Sequence, residues 1–171
     1  MVNQKTAVAL TGRSGEELEE YKKLLLKLNN EVVAAAPEDL LINTHVCRGN
    51  YHSTFFSSGA YDSVAELLFG EENVNAYYLE YDDERSGGFA PLAKVTGDKK
   101  VVLGLITTKT PELEDREKVI NRIHQAAKYI PLDRLYLSPQ CGFASCEIGN
   151  KLTEEEQWEK LRLVKEIAEE V

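Results

Sequence analysis

The segment Lys100-Val-Val-Leu-Gly-Leu-Ile106 constrains the fold more than any other stretch of this sequence. It is apolar at successive positions, so a strand built from it buries both faces. That is the condition of a parallel sheet covered by helices. On either side, strands and amphipathic helices alternate. Ser14 and Glu17 spell a capping box for a helix whose apolar stripe is Leu18, Tyr21, Leu24, Leu25, Leu28 and Val32, closed by Pro37. A strand over Leu40 to Cys47 follows, then a helix near Tyr61 to Phe69 with Val64, Leu67 and Leu68 inward. Val74 to Glu80 reads as the second strand, Tyr81 to Phe89 as a charged, glycine-containing loop, and Phe89 to Val95 as a helical turn.

Beyond the third strand, Thr110-Pro111 reads as N-cap and first-turn proline of a helix carrying Val119, Ile120, Ile123, Ala126, Ala127 and Ile130. Arg134 to Ser138 is the fourth strand. Thr153 with Glu156 caps a last helix whose inner face holds Trp158, Leu161, Val164, Ile167 and Ala168. This order gives an α/β fold with a parallel sheet. Four βα units make half of a TIM-type (βα)8 barrel, which takes about 250 residues when complete. A doubly wound sheet would place G-x-G-x-x-G after a strand, and the sequence has none. A half-barrel leaves its inner face and two strand edges uncovered.

With 171 residues, 43% of them hydrophobic, the chain can bury one core, so residues 1–171 are expected to form a single domain. The net charge of −9 argues against nucleic acid and anionic membrane surfaces as partners, since both select clustered Lys and Arg. No apolar run approaches the roughly 20 residues of a membrane span. The N-terminus lacks a signal-peptide pattern, and three cysteines do not make a disulfide scaffold. A cytoplasmic protein with reduced thiols is the expectation.

The chemistry gathers at strand ends. His45 and Cys47 lie two apart on a strand and share a face, where an imidazole and a thiol can grip one transition metal ion. The second strand ends in Glu80, and the loop leaving the fourth contains Cys141. All come from carboxyl ends, the face on which parallel barrels build active sites. One imidazole, two thiolates and a carboxylate make a tetrahedral Zn2+ set. Arg48 is a candidate to orient a carboxylate, against a surface salt bridge. Asp82 to Ser86 is a candidate to bind an amine or cation, against a solvated loop. His52 and His124 lack partners at ligand spacing, Cys146 follows Cys141 by five residues and reads as a bystander, against a further ligand, and Glu154 to Glu156 is a helix start favoured by the macrodipole.

His45-x-Cys47, Leu79-Glu80 and Ser138-Pro-Gln-Cys-Gly142 together resemble the catalytic barrel of cobalamin-independent methionine synthases, including the shorter methionine synthase II-like members. The resemblance runs from about residue 11 onward and covers the second half of that barrel. It implies a UROD/methionine-synthase-like half-barrel and a zinc methyltransferase of methionine biosynthesis. His45, Cys47, Glu80 and Cys141 would hold zinc, which binds the thiol of homocysteine, with methyl-tetrahydrofolate as donor. The family places a proton-transferring histidine after the seventh barrel strand; Lys109 stands nearest that position here, as a different kind of acid. The acidic residue that receives the substrate amine and much of the folate surface belong to the other half. Alkyl transfer to another thiol is an alternative reading, and so is a non-catalytic zinc-stabilised module. An open inner face predicts a homo-oligomer rather than a lone monomer.

Overall fold

In the computed structural model, which describes residues 3–171, one sheet holds the four strands β1 (Asn43–Val46), β2 (Ala76–Glu80), β3 (Lys100–Ile106) and β4 (Leu135–Pro139) in that order. Every neighbouring pair is parallel. Helix α1 (Gln4–Thr11) and helix α2 (Gly15–Ala34) precede β1, and α3 (Asp62–Glu71) joins β1 to β2. A 3-10 turn, Ala90–Lys94, lies between β2 and β3; α4 (Arg116–Ala126) joins β3 to β4, and α5 (Glu154–Glu170) follows β4. This is the α/β half-barrel order read from the sequence.

The strands sort their side chains by parity. Tyr77, Leu79, Val101, Leu103 and Leu105 point outward into one core with Val64, Phe69, Val119, Ile123 and Ile167 of the helices. The opposite face would line the barrel interior. The register sets His45, Tyr78, Val102 and Tyr136 in one row across it. Val102 is therefore the inner residue at its level, while Leu103, Leu135 and Leu137 pack outward. Tyr78 and Tyr136 stand exposed on this inner face.

Several local expectations are corrected. Ser14 occupies the N-cap position of α2 without a side-chain bond, and the Glu17 carboxylate, the other half of a capping box, stands 3.8 Å from Arg13 instead. β1 is shorter than Leu40 to Cys47; the Ile42 N–H bonds the Asn75 side chain at 2.7 Å rather than a ladder partner. Thr110-Pro111 does not start α4. Glu114 accepts the Thr107 N–H and the Lys160 ammonium, holding the loop extended, so Asp115 caps the helix by accepting from Lys118. Trp158 is exposed, since α5 turns Lys160 and Ile167 inward. The α2 stripe is also exposed at Leu24, Leu25, Leu28 and Val32. α1 was not legible at all: the Asn3 side chain caps it and donates to the Ser58 carbonyl. The Thr153–Glu156 capping box and the turn near Phe89 to Val95 form as read.

Leu103, fully buried on the central strand, should cost about 2–5 kcal/mol when cut to alanine. Leu28→Ser on the exposed stripe should stay within about 0.5 kcal/mol in the isolated chain. Urea unfolding of both variants checks the assignment of inside and outside.

Candidate metal centre

Register and one missing side chain build this site. Val46 lies opposite Leu79, so Cys47 leaves β1 level with Glu80 at the end of β2. His45, Cys47 and Glu80 share the inner face. Cys141 arrives from the β4 side, in the loop that follows Pro139, with a left-handed φ of 50°. Between them runs Gly104. A Cβ there would stand 2.8 Å from the Leu79 carbonyl oxygen and 3.2 Å from Gln140 Cα. Without it the β4 exit closes over β3, and Cys141 reaches across to β1 and β2.

One ligand atom from each of His45, Cys47, Glu80 and Cys141 can be chosen so that all lie within 4.8 Å of one another. His45 Nδ1 donates to the Tyr78 carbonyl at 3.0 Å, which leaves the lone pair on Nε2, 3.3 Å from Cys141 Sγ. The two sulfurs are 3.3 Å apart, and Gly49 N–H donates to Cys47 Sγ at 3.2 Å. Cys141 donates to Glu80 Oε1 at 2.7 Å, and the Arg48 N–H holds the same oxygen at 3.0 Å. Two sulfurs bound tetrahedrally at about 2.3 Å would sit roughly 3.8 Å apart. The set fits a zinc ion after an opening of about half an ångström between the sulfurs, with the Cys141–Glu80 bond replaced.

Contacts among these groups divide the protons. Contact with Cys141, then with His45, holds the Cys47 thiol well below the ordinary thiol range. The same contact with Cys47, with burial and the nearby Glu80 carboxylate, pushes Cys141 up. His45 is raised, first by its bond to Cys47.

Behind the four candidate ligands lies a charged layer that the sequence only hinted at. Arg48 is neither a surface ion pair nor open to substrate. Its buried guanidinium donates to the Gly59 carbonyl, Tyr61 Oη and the Glu80 backbone carbonyl. Glu80 is fully buried, and its Oε2 accepts no hydrogen bond; Arg85 Nη2 stands 3.6 Å away and Arg48 Nη1 3.9 Å. Arg85 also pairs with Asp82 and Asp83, so the loop's own arginine offsets part of its acidity. Lys109 donates to the side chain of Gln140, next to Cys141, and burial lowers its pKa against the opposing charge of Asp82. His52 bonds the Gly149 carbonyl, and neither it, His124 nor Cys146 belongs to the cluster. A cleft of about 230 Å³ opens beside His45 and Cys141, floored by Tyr78, Gly104 and Ser138.

Comparison with known proteins follows this geometry. The family profile described as cobalamin-independent synthase, catalytic domain, matches residues 19–170. The uncharacterized protein YxjG of Bacillus subtilis (strain 168) is 51% identical over 158 residues, 92% of this chain and 42% of YxjG. A solved chain from Listeria monocytogenes, described as a candidate vitamin-B12-independent methionine synthase, superposes with a TM-score of 0.70. It is 44% identical, and the match covers 93% of this chain and 42% of that one. A B12-independent methionine synthase from Shewanella sp. W3-18-1, solved in complex with selenomethionine, gives a TM-score of 0.69 over 88% of this chain and 43% of its own; at 22% identity it speaks for the fold alone. The chain thus spans less than half the length of these relatives. Among the described residues no helix is long and apolar enough to cross a membrane.

In metal-free protein, iodoacetamide should modify Cys47 before Cys141, because the exposed Cys47 is held as thiolate while Cys141 keeps its proton. The Cys47 rate should change little between about pH 8 and about pH 6, where an ordinary thiol of pKa about 8.5 slows nearly tenfold per unit. Peptide mass spectrometry over a pH series reads both rates.

Proposed function

The chain belongs to the cobalamin-independent synthase catalytic-domain family, and on that premise we propose that it is the zinc-binding half of a methyltransferase acting on a thiol. The acceptor is homocysteine and the donor methyl-tetrahydrofolate. Residues 1–171 act as one domain, with His45, Cys47, Glu80 and Cys141 as the zinc ligands. The observation that carries this reading is the convergence of four donor atoms within 4.8 Å at the carboxyl end of a parallel sheet. Zinc bound there supplies a Lewis acid that keeps a substrate thiol ionised at neutral pH.

The protein's own groups do the rest. The Tyr78 carbonyl fixes the tautomer and tilt of His45. Gly49 N–H steadies the Cys47 sulfur, and Arg48 N–H steadies Glu80. Glu80 is the hardest donor of the set and the one whose charge has a second home. If a substrate sulfur takes its place, the Arg48 and Arg85 guanidiniums already face its free oxygen. The cleft of about 230 Å³ beside Cys141 has room for a short thiol. Lys109, held at Gln140 with a lowered pKa, is the acid of this mouth. An ammonium brought nearer neutral pH gives up its proton more readily to a donor's leaving nitrogen.

Metal analysis after loading should find one zinc per chain. His45→Ala, Cys47→Ser and Cys141→Ser should each weaken zinc binding by about 100-fold or more, beyond the roughly 10–100-fold of a second-layer change. Full zinc retention in Cys141→Ser would refute the ligand set. The isolated chain should transfer little or no methyl from methyl-tetrahydrofolate to homocysteine, because it matches only 42% of YxjG and its described residues form four barrel strands. Robust turnover by the isolated chain would contradict the half-enzyme reading.

A further inference from the structure

β1 and β4 stand at the two edges of the sheet, yet the loop that leaves β1 reaches across and fastens onto the loop that leaves β4. Gly49, at φ 99°, lets the chain fold back so that the Phe56 and Ser57 N–H groups both donate to the Arg48 carbonyl, at 2.9 and 3.0 Å. The excursion between them ends in a bridge of Tyr51 with Thr54, turned by His52 at φ 45° and Ser53 at φ 66°. Consecutive non-glycine residues in the left-handed region persist only where their surroundings hold them. Here residues 149–151 do so. His52 Nδ1 donates to the Gly149 carbonyl at 3.1 Å, Ser53 N–H donates to Asn150 Oδ1 at 3.2 Å, and Lys151 N–H donates to Ser53 Oγ at 2.8 Å.

Two asparagines carry this link to the thiols. Asn50, buried and close behind Cys47 in sequence, donates through Nδ2 to the Gly142 carbonyl at 3.0 Å and to Ser145 Oγ at 2.9 Å. Gly142 adjoins Cys141, which lies beyond the end of β4 at its left-handed φ of 50° and so has no strand ladder to hold it. Asn150 donates through Nδ2 to the Thr108 carbonyl at 2.7 Å, with the Gly142 carbonyl 3.5 Å away, and its own N–H donates to the Phe143 carbonyl at 2.9 Å. The loops after β1, β3 and β4 thus meet on two side-chain amides. From this network we propose that Asn50 and Asn150 are positioning residues of the metal centre, which set the separation of Cys47 and Cys141 before metal arrives. The metal-binding consequence rests on the zinc reading above; the thiol spacing is a property of the metal-free chain. Sulfurs already held 3.3 Å apart need little reordering to take one ion, whereas an untethered Cys141 loop would lose its freedom on binding. The role uses the donor end of each amide. An aspartate fits the same space but, when ionised, cannot donate to the carbonyl it would face.

The test treats the metal-free chain with dibromobimane, which bridges two thiols that lie close together, and reads the products by peptide mass spectrometry. The unaltered chain should show Cys47 and Cys141 bridged within one molecule. Asn50→Asp, Asn50→Ala and Asn150→Asp, each checked by circular dichroism for an unchanged fold, should cut the bridged fraction severalfold and leave the two thiols modified separately. Zinc affinity, measured by competition with a chromophoric chelator, should fall about 10-fold or more in the same variants. Agreement between Asn50→Ala and Asn50→Asp separates the lost bond from the added charge. Bridging at the level of the unaltered chain in a folded Asn50 variant overturns the positioning role, as does a loss confined to variants that have lost their fold. If the unaltered chain takes up no zinc, the ligand set above fails, and the bridging result alone decides this inference.

Discussion

The pairing of β1 with β2 in one register is the constraint on which the rest of the molecule depends. Because side chains alternate with a period of two, a slip of one residue would send His45 and Cys47 into the helical layer and bring Thr44 and Val46 inward. The register is held from outside by packing: Tyr77 and Leu79 must meet Phe69 and Val64, and Val46 must meet the same core. Burial on one face of the sheet thus sets the chemistry on the other. Gly104 completes the arrangement, since any side chain there would hold the Cys141 loop away from β2.

The site is also expensive for the fold, and that fits a functional role better than a structural one. Taking an ion out of water costs several kcal/mol even after relaxation, repaid only by close and complete pairing. Glu80 and Arg48 are both buried, yet Glu80 Oε2 has charges near it and no hydrogen bond. A chain selected for stability alone would carry apolar residues of similar volume here. The two arginines are not interchangeable in this respect. Arg48 is committed to the Gly59 carbonyl and Tyr61, whereas Arg85 sits on the loop after β2 and is shared with Asp82.

Much of this was legible in the sequence, and the failures have physical causes. The apolar run at β3 announced a covered parallel sheet, and the His-x-Cys spacing announced a shared face. Strand ends are well marked when polar side chains follow an apolar run, so Glu80 and Cys141 stood out as candidates. Arg48 misled because a charged residue beside a ligand reads as exposed, while its cost of burial is met by carbonyls distant in sequence. Thr110-Pro111 misled because local capping rules cannot weigh the pull of Lys160 and Glu114 on the loop. The α2 stripe was read correctly as apolar, but periodicity cannot say which surface a stripe meets; here, within this chain, Leu18 is buried while Leu24, Leu25, Leu28 and Val32 meet solvent.

The central claim is that one imidazole, two thiolates and one carboxylate hold a single zinc ion. Zinc K-edge X-ray absorption on the metal-loaded chain addresses it most directly. The account predicts two sulfurs near 2.3 Å and two lighter ligands at about 2.0–2.2 Å. A shell of light atoms only, or a chain that takes up no zinc while folded, would contradict it.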